Sequence, residues 1–185
     1  MVDGLLKEAG IRLAELDALA FGRGPGAFTG VRIAAGVIQG LAFGADRPVI
    51  PVSTLAALAQ AAAPDSSSIA AAIDARMGEV YWGLFTVGSA GLVVAAGDER
   101  VCKADSIEVP KDRDWFGVGT GWGTYGTILS TKFGDRLKGF AGDRLPDARE
   151  VLKLAIPELE AGRTMTAAEA LPVYLRHPVA SQRPA

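Results

Sequence analysis

Residues Phe21–Gly44 read FGRGPGAFTGVRIAAGVIQGLAFG, a glycine-rich turn running into a helix that carries more glycine than a helix interior ordinarily tolerates. Gly36, Gly40 and Gly44 recur every fourth residue, with Arg32 on the same row and Ala34 and Ala35 keeping the neighbouring surface small. Positions four apart stack on one face of a helix. Each interior glycine costs about 1 kcal/mol against alanine, and the usual compensation is close approach of another backbone. Either an element of the same chain or a helix of another protein supplies it. The residues alone leave both open.

The turn itself invites a phosphate reading. Gly22, Gly24 and Ala27 satisfy the G-x-G-x-x-G/A spacing of a dinucleotide fingerprint, between a strand and a helix. Two features weaken it. Pro25 removes a backbone N–H from a loop whose work would be donating such groups, and Val52 at the end of the next strand is followed by Ser53 rather than an acid. The Lys-Ser/Thr pair of a Walker loop is also missing. Gly-Pro-Gly therefore reads as a tight bend into a helix N-terminus, with Thr29 near its first turn.

Outward from this stretch the chain falls into two blocks. Val2 to Ala9 has helical spacing, Leu16 to Gly22 is a short apolar strand, Ala27 to Phe43 is the helix, and Pro48 to Val52 is a buried strand. Ser53 caps a helix, TLAALAQAAA, that stops at Pro64. This alternation is α/β with parallel strands. Beyond it, Ser68 to Asp74, Glu79 to Val87 and Gly91 to Cys102 read as antiparallel strands joined by turns. Asp114 to Val118 is a further strand, Thr124 to Lys132 and Asp147 to Glu160 are helices, the latter kinked or ended by Pro157, and Pro172 to Arg176 is extended. Tyr81 and Trp82 are neighbours on a strand and face opposite sides, so at most one is expected in a core.

The composition sets bounds. With 185 residues, 49% of them hydrophobic, and a net charge of −2, the chain can bury a substantial core. Scattered Lys and Arg provide no electrostatic footprint for tight nucleic-acid binding. No uninterrupted run reaches the roughly 18 apolar residues of a membrane span, and no signal peptide opens the chain. The expectation is a soluble, cytoplasmic protein. The single Cys102 excludes an internal disulfide and reads as an edge-strand thiol.

The blocks GRGPGAFTGVRIAAGVIQGLAFG, RPVIPVSTLAALA, DARMGEVYWGLF and LPVYLR, in this order, resemble the bacterial tRNA threonylcarbamoyladenosine biosynthesis proteins called TsaB or YeaZ. The resemblance implies an α/β fold of the actin-like ATPase and sugar kinase class, with two ribonuclease-H-like lobes, here residues 1–66 and 67–185. It implies a non-catalytic subunit that pairs with the catalytic paralogue TsaD and works with the ATPase TsaE to place threonylcarbamoyl on the adenosine beside the anticodon. In that family pairing uses the early helices, as a homodimer or with TsaD. Arg32, Gly36, Gly40 and Gly44, with Val2, Leu5 and Leu6 of the first helix, carry over as the partner interface. tRNA is met only through the complex, and no membrane, cofactor or metal is implied. Family members begin with a hairpin and a third strand ahead of the first helix, whereas this chain opens at MVDGLLKEAG. The first lobe is accordingly read as N-terminally truncated, with the strand ending at Gly22 left beside an open edge.

The residue inventory points the same way. Metal binding of the TsaD kind needs a pair of histidines on one helix, and this chain has one histidine, His177. A Ser-His-Asp triad would have to recruit the same tail residue, which reads as solvated. Asp74, with Arg76 two residues on, stands where a kinase-like fold could place a metal-binding acid, but an Asp-led turn with Arg76 paired to a neighbouring carboxylate is the preferred reading. Trp115 and Trp122 flank the glycines of Gly117 to Gly121, a segment read as a strand-to-helix turn. The competing classes are a dinucleotide-dependent oxidoreductase and a stand-alone nucleotide-binding enzyme or peptidase of the same superfamily.

Overall fold

The computed structural model describes residues 2–176. His177 and the rest of the tail lie outside them. After α1 (Val2–Ala9), β1 (Leu19–Gly22) and β2 (Val49–Val52) pair in parallel, with Leu19 opposite Val49 and Gly22 opposite Val52. Between them runs α2 (Phe28–Ala45). Alternation along these strands sends Leu19, Phe21 and Val49 to one face, against Ala35, Ile38 and Ala42 of α2. Ile50 and Val52 meet Ala155 on the other face, from α5 (Ala148–Glu160). Beyond β2, Val49 and Met165 exchange backbone bonds. Beyond β1 no strand follows among the described residues.

The second sheet contains β3 (Ser68–Arg76), β4 (Glu79–Val87), β5 (Val93–Ala95), β6 (Arg100–Lys103), β7 (Trp115–Val118) and β8 (Leu137–Ala141). Its order is β5-β4-β3-β7-β8, with β6 also on β4; β4 is antiparallel to its neighbours, and β7 and β8 run parallel with β3. Both faces are covered. α4 (Thr120–Phe133) places Trp122, Leu129 and Phe133 against Trp82 and Trp115, and α3 (Thr54–Ala62) places Leu55, Leu58 and Ala62 against Ile69, Phe85 and Val118. Alanines at 70, 71 and 72 keep β3 thin enough for helices on both sides, which is why it reads as a continuous apolar run.

Several expectations need correction. The strand read over Gly91 to Cys102 is two, β5 and β6, both on β4, and residues 96–99 leave the edge between them. Tyr81 packs against the α3-side core while Trp82 fills the α4-side core, because this sheet buries both faces. α4 begins at Thr120, four residues before the reading, and bends at Tyr125. β8 escaped the reading altogether, since Gly139 interrupts its short apolar pattern. Pro157 does not end α5, which continues to Glu160, placing the proline in its last turn. Asp147 caps α5 and Ser53 caps α3, as read.

By length and composition α2 is long and apolar enough to span a membrane, with 18 residues and a mean hydropathy of 1.3. Glycines and Arg32 interrupt its apolar run, so it is not found as an unbroken apolar stretch in the sequence. One side of this helix packs on the β1–β2 sheet, while its other side stays open.

Candidate functional site

The open side of α2 carries the glycine row. Gly36, Gly40 and Gly44 are exposed, and a Cβ built at any of them finds no atom within 4 Å. Among the described residues, therefore, no other element packs on the row. Around it Ile33, Val37 and Phe43 are exposed by 60%, 51% and 85%. On α1, Leu5 is exposed, Val2 and Leu6 are half-buried, and no residue is fully buried. Arg32 stands on the same side near the start of α2, where its Nε donates to the Tyr174 hydroxyl at 2.9 Å. Sequence reasoning missed this partner, because 142 residues separate the two.

A second region is the crevice between the two sheets. Backbone bonds tie the Gly-Pro-Gly bend down: Thr54 N–H donates to the Gly24 carbonyl at 2.9 Å, and Val173 N–H to the Arg23 carbonyl at 2.8 Å. The crevice beside it holds about 180 Å3 and is lined by Pro25, Leu58, Ile73, Leu145 and Pro146, with Thr54 and Thr120 at its rim. Most of this lining is hydrocarbon, and its one cation, Arg144, is occupied by the Ala61 carbonyl at 2.7 Å and the Asp65 carboxylate at 2.8 Å.

Asp74, at the crevice end of β3, is already engaged. Its carboxylate accepts from Arg76 N–H at 2.8 Å and pairs with the Arg76 guanidinium at 3.2 Å, closing the Asp-led turn. The glycine segment after β7 is likewise structural. Gly119 has φ +104°, and a Cβ there would lie 2.4 Å from the Ala72 carbonyl oxygen. That glycine lets β7 turn into α4 against β3, leaving the loop no freedom to wrap a ligand.

Glu99, carried inward where β5 and β6 separate, bridges the two sheets by accepting a hydrogen bond from Ser53. Burial pushes its carboxyl above the ordinary range, outweighing the Ser53 bond and the Arg23 charge, which act the other way. The folded chain thus holds this proton to higher pH than the unfolded chain, whose glutamate titrates near about 4.3. Within the window that opens there and closes above the raised folded value, the native state binds more protons, so stability falls as pH rises. Glu99→Gln should remove that decline. Melting curves at a series of pH values from about 4 to 7 should show the wild type losing ground to the variant as pH increases; parallel curves would place Glu99 in solvent. Burial also pushes the Cys102 thiol up, consistent with an unreactive edge-strand residue.

Comparison with known proteins follows this geometry. The family model for TsaD, tRNA N6-adenosine threonylcarbamoyltransferase, matches residues 1–181. The tRNA threonylcarbamoyladenosine biosynthesis protein TsaB of Haemophilus influenzae is 42% identical over 97% of this chain and 78% of its own length. That of Escherichia coli is 40% identical over 97% of this chain and 79% of its own length. The solved structure of YeaZ from Pseudomonas aeruginosa superposes with a TM-score of 0.87 at 50% identity, covering 95% of this chain and 81% of that one. The sheet order and these likenesses together establish an actin-like, ribonuclease-H-like α/β fold, and the chain belongs to the TsaB, or YeaZ, family of tRNA threonylcarbamoyladenosine biosynthesis proteins.

Proposed function

We propose that this chain is a non-catalytic partner subunit in the formation of N6-threonylcarbamoyladenosine next to the anticodon of tRNAs that read codons beginning with A. It supports the catalytic subunit TsaD together with the ATPase TsaE, associates through the open face of α2 with α1 beside it, and meets tRNA only through the complex, in the cytoplasm. The observation carrying this reading is the exposed glycine row, a helix face whose cost in propensity is offset by no contact among the described residues. The mostly hydrocarbon lining of the crevice, its one cation paired with Asp65, and the engaged Asp74 support a role outside the chemistry. One histidine in the whole sequence cannot supply a histidine pair for a catalytic metal.

Reconstitution tests it. With tRNA and an activated threonylcarbamoyl donor, the chain alone should form no modified adenosine, and the transferase of the same genome should turn over when the chain and the ATPase are added. Modified tRNA made by the chain alone, or stoichiometric zinc or iron retained on purification, would overturn the non-catalytic role. Full transferase activity without the chain would overturn the partnership.

A further inference from the structure

α2 has one charged side chain, Arg32, on an exposed face otherwise built of glycine and apolar residues. That side chain is held from two sides. Its guanidinium carbon lies 3.6 Å from the centroid of the Phe28 ring and 5.7 Å from that of Tyr174, while Nε donates to the Tyr174 hydroxyl. The segment presenting Tyr174 is itself fastened, by Val173 N–H on the Arg23 carbonyl and by Arg176 on the Ala75 carbonyl and the Glu79 carboxylate. The two terminal nitrogens of Arg32 make no hydrogen bond or ion pair among the described residues.

We infer that Arg32 is a preorganised anchor for a carboxylate of the protein that packs on α2, with Tyr174 as its positioning residue; this rests on reading α2 as the docking face. Stacking and the Nε bond restrain a side chain that ordinarily loses much rotamer freedom on binding, so that cost is met in the free chain. The outer edge of the fork remains available for bidentate pairing. A partner covering this face with hydrocarbon alone would bury an unpaired cation, which is strongly unfavourable. No acidic side chain lies within α2 itself; in a second copy the exposed carboxylates bordering this face are Asp46, which caps the far end of α2, and Asp3 and Glu8 on α1. The occupant assigned here is the transferase of the proposed function, carrying Asp or Glu opposite the start of α2, and pairing with Asp46, Asp3 or Glu8 of a second copy is the competing outcome of the test.

The test is titration calorimetry of the chain against the transferase of the same genome over a salt series. Arg32→Lys, which keeps charge but loses the fork, should bind about tenfold more weakly. Arg32→Ala should bind more weakly still and lose most of the salt dependence, and Tyr174→Phe should cost several-fold with an unchanged melting temperature. Should Arg32→Ala melt early, Tyr174→Phe carries the test, since its ring still covers Arg32. Wild-type affinity in all three, while Gly40→Leu still weakens binding, overturns the anchor and leaves the docking face standing. Wild-type affinity in all of them, Gly40→Leu included, removes the face itself. Lost self-association with unchanged affinity for the transferase would assign the carboxylate to a second copy, against the partner inferred here.

Discussion

Gly40→Leu is expected to leave the chain folded and to weaken its association, whether with the catalytic subunit or with itself. In the free chain a side chain at position 40 enters open space, since no atom lies within 4 Å of its Cβ position. Replacing glycine in a helix interior also recovers up to about 0.8 kcal/mol of helix propensity. The melting temperature should therefore hold or rise. In a complex the same side chain stands between two backbones brought together by the small residues at 36, 40 and 44. Overpacking such a contact costs about 1 to 3 kcal/mol, and a symmetric pair suffers it twice. At tenfold in affinity for every 1.4 kcal/mol, that is a loss of about 5- to 150-fold for a single contact, and more for a symmetric pair, readable in sedimentation velocity. A destabilised variant associating at wild-type affinity would reverse this logic and return the glycines to an intramolecular role.

The largest expected loss of stability follows Trp122→Ala. This residue has no exposed surface, its indole N–H donates to the Ala70 carbonyl at 2.7 Å, and its ring centroid lies 5.2 Å from Phe133 and 5.5 Å from Phe140. Truncation removes the ring, opens a cavity in the α4-side core and leaves a buried strand carbonyl without its donor. Large-to-small changes of this kind cost about 3 to 5 kcal/mol, a substantial share of a typical domain's 5 to 15 kcal/mol. At roughly 2 to 4 °C per kcal/mol for a chain of this size, the melting temperature should drop by about 6 to 20 °C. Urea denaturation should show a lower midpoint at unchanged slope. A loss below about 1 kcal/mol would mean that the core collapses onto the gap.

Trp122 also explains a boundary that sequence reasoning misplaced. Taken alone, TGWGTYG is a poor helix former, and propensity starts the helix at Thr124. Seated in the core, the indole draws the first turn of α4 against β3, where Gly121 permits a close approach to Ala72. Tertiary packing outweighs local preference, and the bend at Tyr125 marks the join. β8 is similar: Leu137–Ala141 is short and contains glycine, and its strand character comes from the β7 edge it pairs with.

Local chemistry determined much of the rest. Serine and aspartate caps, the Gly-Pro-Gly bend and the alternating strands act within a few residues, so they were legible one segment at a time. The glycine row was equally legible as a face, since helical periodicity alone puts 36, 40 and 44 together. Which side of α2 that face would take was not legible. Both readings of the row satisfy the same period, and only the packing of Ala35, Ile38 and Ala42 on β1 and β2 turns the glycines outward. The bond of Arg32 to Tyr174, and that of Ser53 to Glu99, likewise join residues distant in sequence. A single sequence specifies which groups can meet; folding of the whole chain decides which of them do, because burial and long-range contact are properties of the assembled fold.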